Sequence, residues 1–378
     1  MNTRPCWFED DHNTSYPRLD SSIETDILVV GGGVAGITAA YLLAREGFSV
    51  ALVERDRLGG RDTGHTTAHL TYMTDTRLSD LTSTFSRDTA RLAWEAGREA
   101  MEFIADTVRD ESIQCDHEVV PGYLAAAEGC NLEEEAALLR QEALVGRQLG
   151  FDSQFLDRAP VTSRPGILFA KQAKFHPLGY CDHLAALATR TGAGIFEETE
   201  VTEFGMEPGS ATAGGHQIRF KHVFVATHVP LQGDASAVGA ASFQTKLALY
   251  STYAIGAEIP KNIIKPMIWS DTADPFLYLR VESGIEADYC ILGGEDHRTG
   301  QDVDTGSHYQ KLERRLKRWI PEAVVRHRWS GQVVETIATV ECSLGPAIAF
   351  SLQQGAGCKC YRRNGNRFRQ SSSAHAAR

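Results

Sequence analysis

The stretch from Asp26 to Glu54, DILVVGGGVAGITAAYLLAREGFSVALVE, determines the fold expected at the start of this chain. Its first five residues are a short apolar run, which is typical of a strand buried in a parallel sheet. The glycine pattern G-x-G-x-x-G follows at once, and the Ala- and Leu-rich segment that Gly47 closes predicts a helix. A second apolar run, Ser49 to Val53, leads to Glu54. This order of strand, glycine turn, helix and strand predicts a nucleotide-binding βαβ unit.

Each glycine of the turn has a separate task in such a unit. Gly31 permits the tight turn, Gly33 lets the backbone approach a diphosphate, and Gly36 lets the helix pack closely on the sheet. The backbone N–H groups at the helix start, around Val34 and Ala35, then offer a partial positive charge to the phosphates. We therefore expect these five residues to bind a dinucleotide.

An acidic residue completes the pattern at the end of the second predicted strand. Glu54 lies eighteen residues after Gly36, where an acid accepts the ribose hydroxyls and disfavours the extra phosphate of NADP. The acid does not separate a flavin dinucleotide from a nicotinamide dinucleotide. The alternative, a tight turn followed by an incidental acid, does not account for the ordered strand, turn, helix and strand.

A long polar stretch, RDRLGGRDTGHTTAHLTYMTD at residues 55–75, leaves the second strand beside the predicted nucleotide site. Loops of this length without evident structure are usually functional. We expect Arg55, Thr66 and Thr67 to contact the cofactor, with His69 within reach of it. The alternative is a solvated connection.

Length and charge narrow the class of protein. The chain has 378 residues, which suggests two domains, and its 38 basic and 49 acidic residues give a net charge of −11. This balance argues against a nucleic-acid partner, which requires a basic surface. The first residues do not form a secretory signal, and no apolar stretch is long enough to span a bilayer. We expect a soluble, cytoplasmic protein of unknown oligomeric state.

Eight scattered cysteines do not form a metal site by their spacing. Cys115-Asp116-His117 and Cys181-Asp182-His183 each resemble one half of a Rieske pair, but neither has the other half, and such a cluster needs two cysteines and two histidines. We therefore expect reduced thiols and no bound metal.

The rest of the chain predicts a second, sheet-rich part. Residues 243–259 and 276–294 are rich in Tyr, Ile, Leu and Val and suggest an antiparallel sheet, and Tyr309–Trp319 predicts a charged helix. His176 follows Phe175 in a turn before another predicted helix. A lone histidine in a turn is more often structural, but His176 is a catalytic candidate that could act near a flavin.

Six segments between Asp26 and Glu335 form an ordered set: DILVVGGGVAGITAAYLLAREGFSVALVERD, TGHTTAHLTYMTD, AKFHPLGYCDHLAALA, HVFVATHVP, LGGEDHRTGQ and RWSGQVVE. Taken in this order, they resemble the D-amino-acid-oxidase (glycine-oxidase-like) superfamily of FAD oxidoreductases. They are similar above all to its bacterial branch that often carries a C-terminal Rieske domain.

The resemblance implies an α/β fold (α+β overall), with a Rossmann-like FAD-binding domain and a second, sheet-based substrate domain. Both domains are discontinuous in sequence, and a disordered tail is expected at the end of the chain. The implied FAD-binding domain comprises residues 24–80, 189–235 and 327–357, the substrate domain residues 81–188 and 236–326, and the tail residues 358–378.

The resemblance also implies roles for residues outside the glycine turn. Val201 would contact the adenine through its backbone, and Ala226 and Thr227 would line the cofactor. Lys246 would lie near the flavin as a second catalytic candidate. The implied reaction oxidises a carbon–nitrogen bond of an amine or amino-acid-like substrate by hydride transfer to the flavin of FAD.

Two departures from the family pattern leave alternatives open. After Trp329-Ser330-Gly331 the chain has Gln332 and Val333 instead of the family's arginine that would bind a substrate carboxylate, which argues against a simple amino acid as substrate. The similarity stops near Thr336, and the usual segment toward the flavin ring does not follow. The alternatives are a truncated, catalytically impaired flavin-binding protein and, less well supported, an NAD-dependent dehydrogenase.

Overall fold

A computed structural model describes residues 3–9, 14–206, 209–228 and 247–336, together with the backbone of 359–362. The helices in this part of the chain, after a short 3-10 turn at Cys6–Phe8, are α1 (Val34–Arg45), α2 (Asp62–His65), α3 (Leu78–Thr84), α4 (Arg87–Asp110), α5 (Leu132–Gln148), α6 (Pro177–Arg190) and α7 (Thr305–Trp319).

The strands belong to two sheets, whose members alternate in blocks along the chain. They are β1 (Ile23–Val30), β2 (Val50–Val53), β3 (His69–Leu70), β4 (Glu118–Ala125), β5 (Ser153–Leu156), β6 (Gly166–Lys174), β7 (Gly194–Phe196), β8 (Val201–Met206), β9 (Gly209–Ala213), β10 (His216–Val225), β11 (Leu247–Ile259), β12 (Met267–Asp271), β13 (Tyr278–Glu282), β14 (Asp288–Arg298), β15 (Val324–Thr336) and β16 (Lys359–Arg362).

The first sheet has the strand order β7-β2-β1-β10-β9-β8, and its first four strands are parallel. β1, α1 and β2 form the predicted βαβ unit, because parallel neighbours require a crossover. Alternate residues of β1 enter different cores: Ile27 and Val29 pack with α1, whereas Leu28 and Val30 pack with β9 and β10. Burial on both faces explains why this strand is a continuous apolar run. The predicted Rossmann-like sheet is confirmed.

The second sheet has the order β15-β11-β14-β13-β12-β4-β6-β3, with β5 beside β6. Its pairs are antiparallel except β12 and β4, which are parallel. One face of β11 packs on α7, where Leu312 and Leu316 are buried against Ile255. The opposite face, which includes Ala254, joins the core that also holds α1. The expected second part, built around a sheet, is confirmed.

The two sheets are connected through the polar stretch that follows β2. This stretch ends in β3, where His69 pairs with Lys174 of β6 and so adds a strand to the second sheet. The division into domains at the predicted boundaries stays a prediction.

Two further predictions concern the tail at residues 358–378 and the presence of a membrane-spanning segment. Lys359–Arg362, four residues of the segment predicted to be a disordered tail, pair as β16 with the end of β10, and the other residues of that tail lie outside the described part. Among the described residues, no helix combines the length and the apolar character that crossing a membrane requires.

Candidate functional site

The glycine turn lies between the ends of β1 and β10 and has the close packing that its pattern predicts. Gly31 adopts a φ of +106°, and its N–H donates to the carbonyl oxygen of Val53 at 2.9 Å. A β-carbon on Gly31 would lie 2.5 Å from the carbonyl oxygen of Ala226. A β-carbon on Gly36 would collide with the carbonyl oxygen of Gly31. Side chains are therefore excluded at both positions, and Ala226 lies against the turn, while its contact with the cofactor stays a prediction.

The start of α1 has the composition of an anion-binding site. Gly33 is its N-cap, and the first turn carries no acidic residue. The N–H of Val34 donates to the hydroxyl oxygen of Thr63 at 3.1 Å, and a β-carbon on Gly33 would lie 3.0 Å from the same oxygen. Since this hydroxyl accepts from Val34, its own hydrogen remains available to donate to a phosphate. Thr63 is not predictable from spacing, because only the fold brings it over the helix start.

Glu54 at the end of β2 uses each carboxylate oxygen once. Oε2 accepts from the N–H of Gly32 at 2.6 Å, and Oε1 accepts from the N–H of Asp56 at 2.8 Å. A carboxylate has about four acceptor positions, so about two remain for the hydroxyls of a ribose. Arg55, the neighbouring predicted contact, is half exposed and lies 3.5 Å from Asp56. The Arg61 guanidinium beside Asp56 holds the pKa of that carboxyl below its usual value.

The segment that leads into β8 runs beside Glu54. The N–H of Glu54 donates to the carbonyl oxygen of Phe196 at 2.9 Å, and the N–H of Thr199 donates to the carbonyl oxygen of Glu54 at 2.8 Å. Val201 begins β8 two residues later. The predicted adenine contact therefore lies near the predicted ribose contact, although they are 147 positions apart in the chain.

The loop before β3 is held by donors from three distant parts of the chain. Four consecutive carbonyl groups accept hydrogen bonds from buried or partly buried side chains, and these bonds are Trp329 Nε1 to His65 at 2.9 Å, Trp7 Nε1 to Thr66 at 2.9 Å, and Arg280 Nη1 to Thr67 at 3.2 Å and to Ala68 at 2.8 Å. We call residues 65–68 the clamped loop. It contains Thr66 and Thr67, both predicted to contact the cofactor.

Arg280 of β13 is the central donor to the clamped loop. Its side chain has 0% exposure, and Nη1 also donates to the carbonyl oxygen of Phe175 at 2.8 Å. Its guanidinium pairs with Glu282 and lies 5.0 Å from the centre of the Trp7 ring. Burial lowers the pKa of Arg280, and Glu282 opposes that effect. Such a buried charge is tolerated because the loop carbonyls, the carboxylate and the ring together replace water.

His69 follows the clamped loop and faces the second sheet. Its ring lies edge-on to Tyr278 with 5.9 Å between centroids, and the Tyr278 hydroxyl is 2.7 Å from the hydroxyl oxygen of Thr252 on β11. The His69 Nε2 atom is buried and has no hydrogen-bond partner in the described structure. Burial, aided by the charge of Arg280, lowers the pKa of His69 to about 3. The ring is therefore neutral near neutral pH.

Of the two predicted catalytic residues, His176 and Lys246, only His176 belongs to the described part of the chain. His176 is the N-cap of α6, where its Nδ1 accepts from the N–H of Gly179 at 3.0 Å, and its ring lies edge-on to Trp7 with 5.1 Å between centroids. This contact is structural, so a catalytic role for His176 stays a prediction. Lys246 lies outside the described residues.

His228 also lies at this edge of the first sheet, beyond Ala226 and Thr227. Its side chain is 10% exposed, and its Nε2 lies 3.8 Å from Oδ2 of Asp62 at the start of α2. The glycine turn, Glu54, the start of α2 and His228 thus lie at the carboxyl ends of β1, β2 and β10, where open α/β sheets bind ligands.

Known proteins share this arrangement of sequence and fold. A family model described as "FAD dependent oxidoreductase" matches residues 26–349. The putative Rieske 2Fe-2S iron-sulfur protein YhfW of Bacillus subtilis is 27% identical over 327 residues, which cover 85% of this chain and 62% of that protein. Gamma-glutamylputrescine oxidoreductase of Escherichia coli is 27% identical over 219 residues, 56% of this chain and 50% of that protein.

Solved structures agree on the fold. Glycine oxidase from Geobacillus kaustophilus superposes with a TM-score of 0.68 at 17% identity, and the match covers 88% of this chain and 92% of that chain. The resemblance expected from the sequence, including that to the Rieske-bearing branch, is confirmed. This chain spans 62% of the length of YhfW and about half the length of the other curated relative. The chain belongs to the family of FAD dependent oxidoreductases, and FAD is the cofactor of that family.

Proposed function

We propose that this protein is an FAD-dependent oxidoreductase that oxidises a carbon–nitrogen bond of an amine or amino-acid-like substrate. The observation that carries the proposal is the clamped loop, because it joins the nucleotide-binding turn to the sheet on which a substrate would lie. The names of gamma-glutamylputrescine oxidoreductase and glycine oxidase favour a nitrogen-containing substrate.

The residues at the carboxyl edge of the first sheet fit FAD. Glu54 retains acceptor positions for the adenosine ribose, and the start of α1 with the Thr63 hydroxyl suits the diphosphate. The absence of β-carbons at Gly31 and Gly36 lets the turn pack against Ala226 and the start of α1 pack against the turn. We assign further contacts to Gly33, Val34, Ala35, Arg55, Thr66, Thr67, Val201, Ala226 and Thr227.

The residues that face the second sheet suit a substrate amine. When bound, FAD supplies the ring that accepts a hydride from the substrate carbon. His69 stays neutral, so it offers a hydrogen-bond acceptor to an amine N–H and does not repel a neighbouring ammonium group. Tyr278 and Thr252 share a hydrogen bond behind it, which holds the Tyr278 ring in place. Among the described residues, His69, Tyr278 and Thr252 would orient the substrate. They supply no cation for a substrate carboxylate, and Arg280 is already bonded to the clamped loop and to Phe175.

The test begins with the absorption spectrum of the purified full-length chain. We expect the flavin bands, and anaerobic mixing with a panel of amines should bleach them. Each amine is paired with its α-carboxylated counterpart, so that the panel also reports the preference for a carboxylate. The panel should bleach the bands faster with amines than with their carboxylated counterparts.

The other outcomes distinguish the alternatives. A yellow protein that no amine or amino acid reduces would support the catalytically impaired flavin-binding protein. A colourless protein that binds NAD would instead support the dehydrogenase and contradict the proposal.

A further inference from the structure

His228 carries an almost fully buried imidazole at the carboxyl edge of the first sheet. Its side chain is 10% exposed, and neither ring nitrogen has a hydrogen-bond partner in the described parts of the chain. The nearest recorded charge is Oδ2 of Asp62, 3.8 Å from Nε2, which is too far for a hydrogen bond. Buried polar atoms in native proteins are almost always hydrogen-bonded. Two orphaned ring nitrogens at a binding edge therefore point to a ligand that supplies their partners.

The backbone conformation of His228 also indicates a ligand-binding role. Its φ of +58° lies in the left-handed region, which few residues other than glycine adopt. A histidine held in this conformation with its ring buried is costly in the free protein. Such strain is concentrated at sites where surrounding structure or a ligand requires a particular side chain.

The strand order indicates which part of the cofactor reaches His228. At the carboxyl edge of the first sheet, β2, β1 and β10 are successive neighbours. Glu54 follows β2, the glycine turn follows β1, and His228 follows β10. A linear ligand held by Glu54 at its ribose and by the turn at its diphosphate therefore continues over the end of β10. In FAD the segment beyond the diphosphate is the ribityl chain.

We propose that His228 binds the ribityl segment of FAD and that Asp62 orients its ring. This inference rests on the FAD binding of the proposed function. A ribityl hydroxyl both donates and accepts hydrogen bonds, which matches the one donor and one acceptor of a neutral imidazole. The Asp62 carboxylate favours the tautomer with hydrogen on Nε2, the nitrogen that faces it, and leaves Nδ1 as the acceptor.

The experiment compares FAD with ADP, which lacks the ribityl segment and the flavin ring. Both are titrated calorimetrically into the full-length protein after its flavin has been removed. His228→Gly removes the imidazole and tolerates the left-handed backbone, so it preserves the fold. We expect it to weaken FAD binding by about tenfold or more and to change ADP binding by less than about twofold. His228→Asn keeps a donor and an acceptor and also tolerates this backbone, so it should recover part of the loss.

His222→Ala is the matched control, because His222 is an exposed histidine on β10, the strand that precedes His228. It should leave the affinities for both ligands unchanged. The thermal midpoints of all variants are measured without ligand, so that a folding defect is recognised.

Three results would overturn the inference. Unchanged FAD affinity in His228→Gly would show that the imidazole makes no contact with the cofactor. An equal loss of FAD and ADP affinity in His228→Gly would show that the substitution acts on the binding of the adenosine half or on the fold. A wild-type protein that binds ADP but not FAD would contradict the inference and the proposed function together, whereas a wild type that binds FAD as expected confines the failure to His228.

Discussion

Single residues at the nucleotide edge have separable tasks, and Glu54 is the first that can be tested. Its carboxylate holds the N–H groups of Gly32 and Asp56 and retains acceptor positions for a ribose. Because the contact belongs to the adenosine half of the cofactor, its loss should affect FAD and ADP alike. This pattern differs from the one expected of His228, so the two residues report on different parts of the same ligand.

We predict that Glu54→Gln weakens the binding of both FAD and ADP by about ten- to a hundredfold, because hydrogen bonds to a charged group are the strong ones. Calorimetric titration of the flavin-free protein measures it. Glu46→Gln, at an exposed position after α1, is the control. Unaltered affinity for ADP in Glu54→Gln would show that Glu54 does not contact the ribose.

His69 makes the stability of the folded protein depend on pH. Its pKa is lowered to about 3 in the folded protein by burial and by Arg280, whereas the unfolded chain has an ordinary histidine with a pKa of about 6.5. Below about pH 6.5 His69 binds a proton in the unfolded state, whereas in the folded state it binds one only at about pH 3. The folded protein therefore loses stability as the pH falls through this window.

We predict that His69→Gln reduces the acid-induced fall of the thermal midpoint between about pH 7 and pH 4, because glutamine does not titrate. Thermal unfolding of the two proteins across this range tests the prediction. His183→Gln, which replaces an exposed histidine of α6, should leave the fall unchanged. Parallel curves for wild type and His69→Gln would mean that His69 is not buried in its neutral form.

At the scale of elements, the clamped loop depends on β13, β15 and the 3-10 turn near the N-terminus. Arg280, Trp329 and Trp7 donate hydrogen bonds to its four consecutive carbonyl groups. The loop should therefore respond more to the loss of Arg280 than to changes in its own side chains.

We predict that Arg280→Lys destabilises the protein by about 2–4 kcal/mol, because an ammonium group cannot reach the three carbonyl groups and Glu282 together. Urea unfolding of the flavin-free protein measures the loss, and faster release of FAD should accompany it. Arg314→Lys on the exposed side of α7 is the matched change. A decrease of less than about 1 kcal/mol in the free energy of unfolding would show that the Arg280 guanidinium does not hold the clamped loop in place.

At the scale of the whole molecule, one core connects the two sheets. The largest buried cluster includes Ile27 and Leu52 of the first sheet together with Phe169, Ile291 and Trp329 of the second. A second cluster lies between the second sheet and α7, and it contains Trp269. Because the largest core is shared, neither sheet can lose its packing without the other.

We predict that the flavin-free protein unfolds in one transition, with the same midpoint by tryptophan fluorescence and by far-ultraviolet circular dichroism. Trp269 and Trp319, which lie edge-on to each other at 5.5 Å, report on the second sheet, while circular dichroism reports on the whole chain. Two separated transitions would show that the sheets form independent cores.

Local patterns were sufficient for the parts of the fold in which neighbours in sequence are neighbours in space. The run from Asp26 to Glu54 predicts β1, the glycine turn, α1 and β2, because strand burial, glycine conformation and helix periodicity are properties of adjacent residues. The predicted helix at Tyr309–Trp319 is α7 with an earlier start, at Thr305, and helix starts are poorly marked when no side-chain cap is present.

The sequence by itself determined the family, the cofactor and the residues of the turn. Only the tertiary structure decided which other side chains meet them. Thr63, Arg280, Trp7, Trp329 and His228 come from separate segments, and no spacing rule connects them. Their roles arise from hydrogen bonds and burial between residues far apart in the chain, and these exist only once the two sheets have packed together.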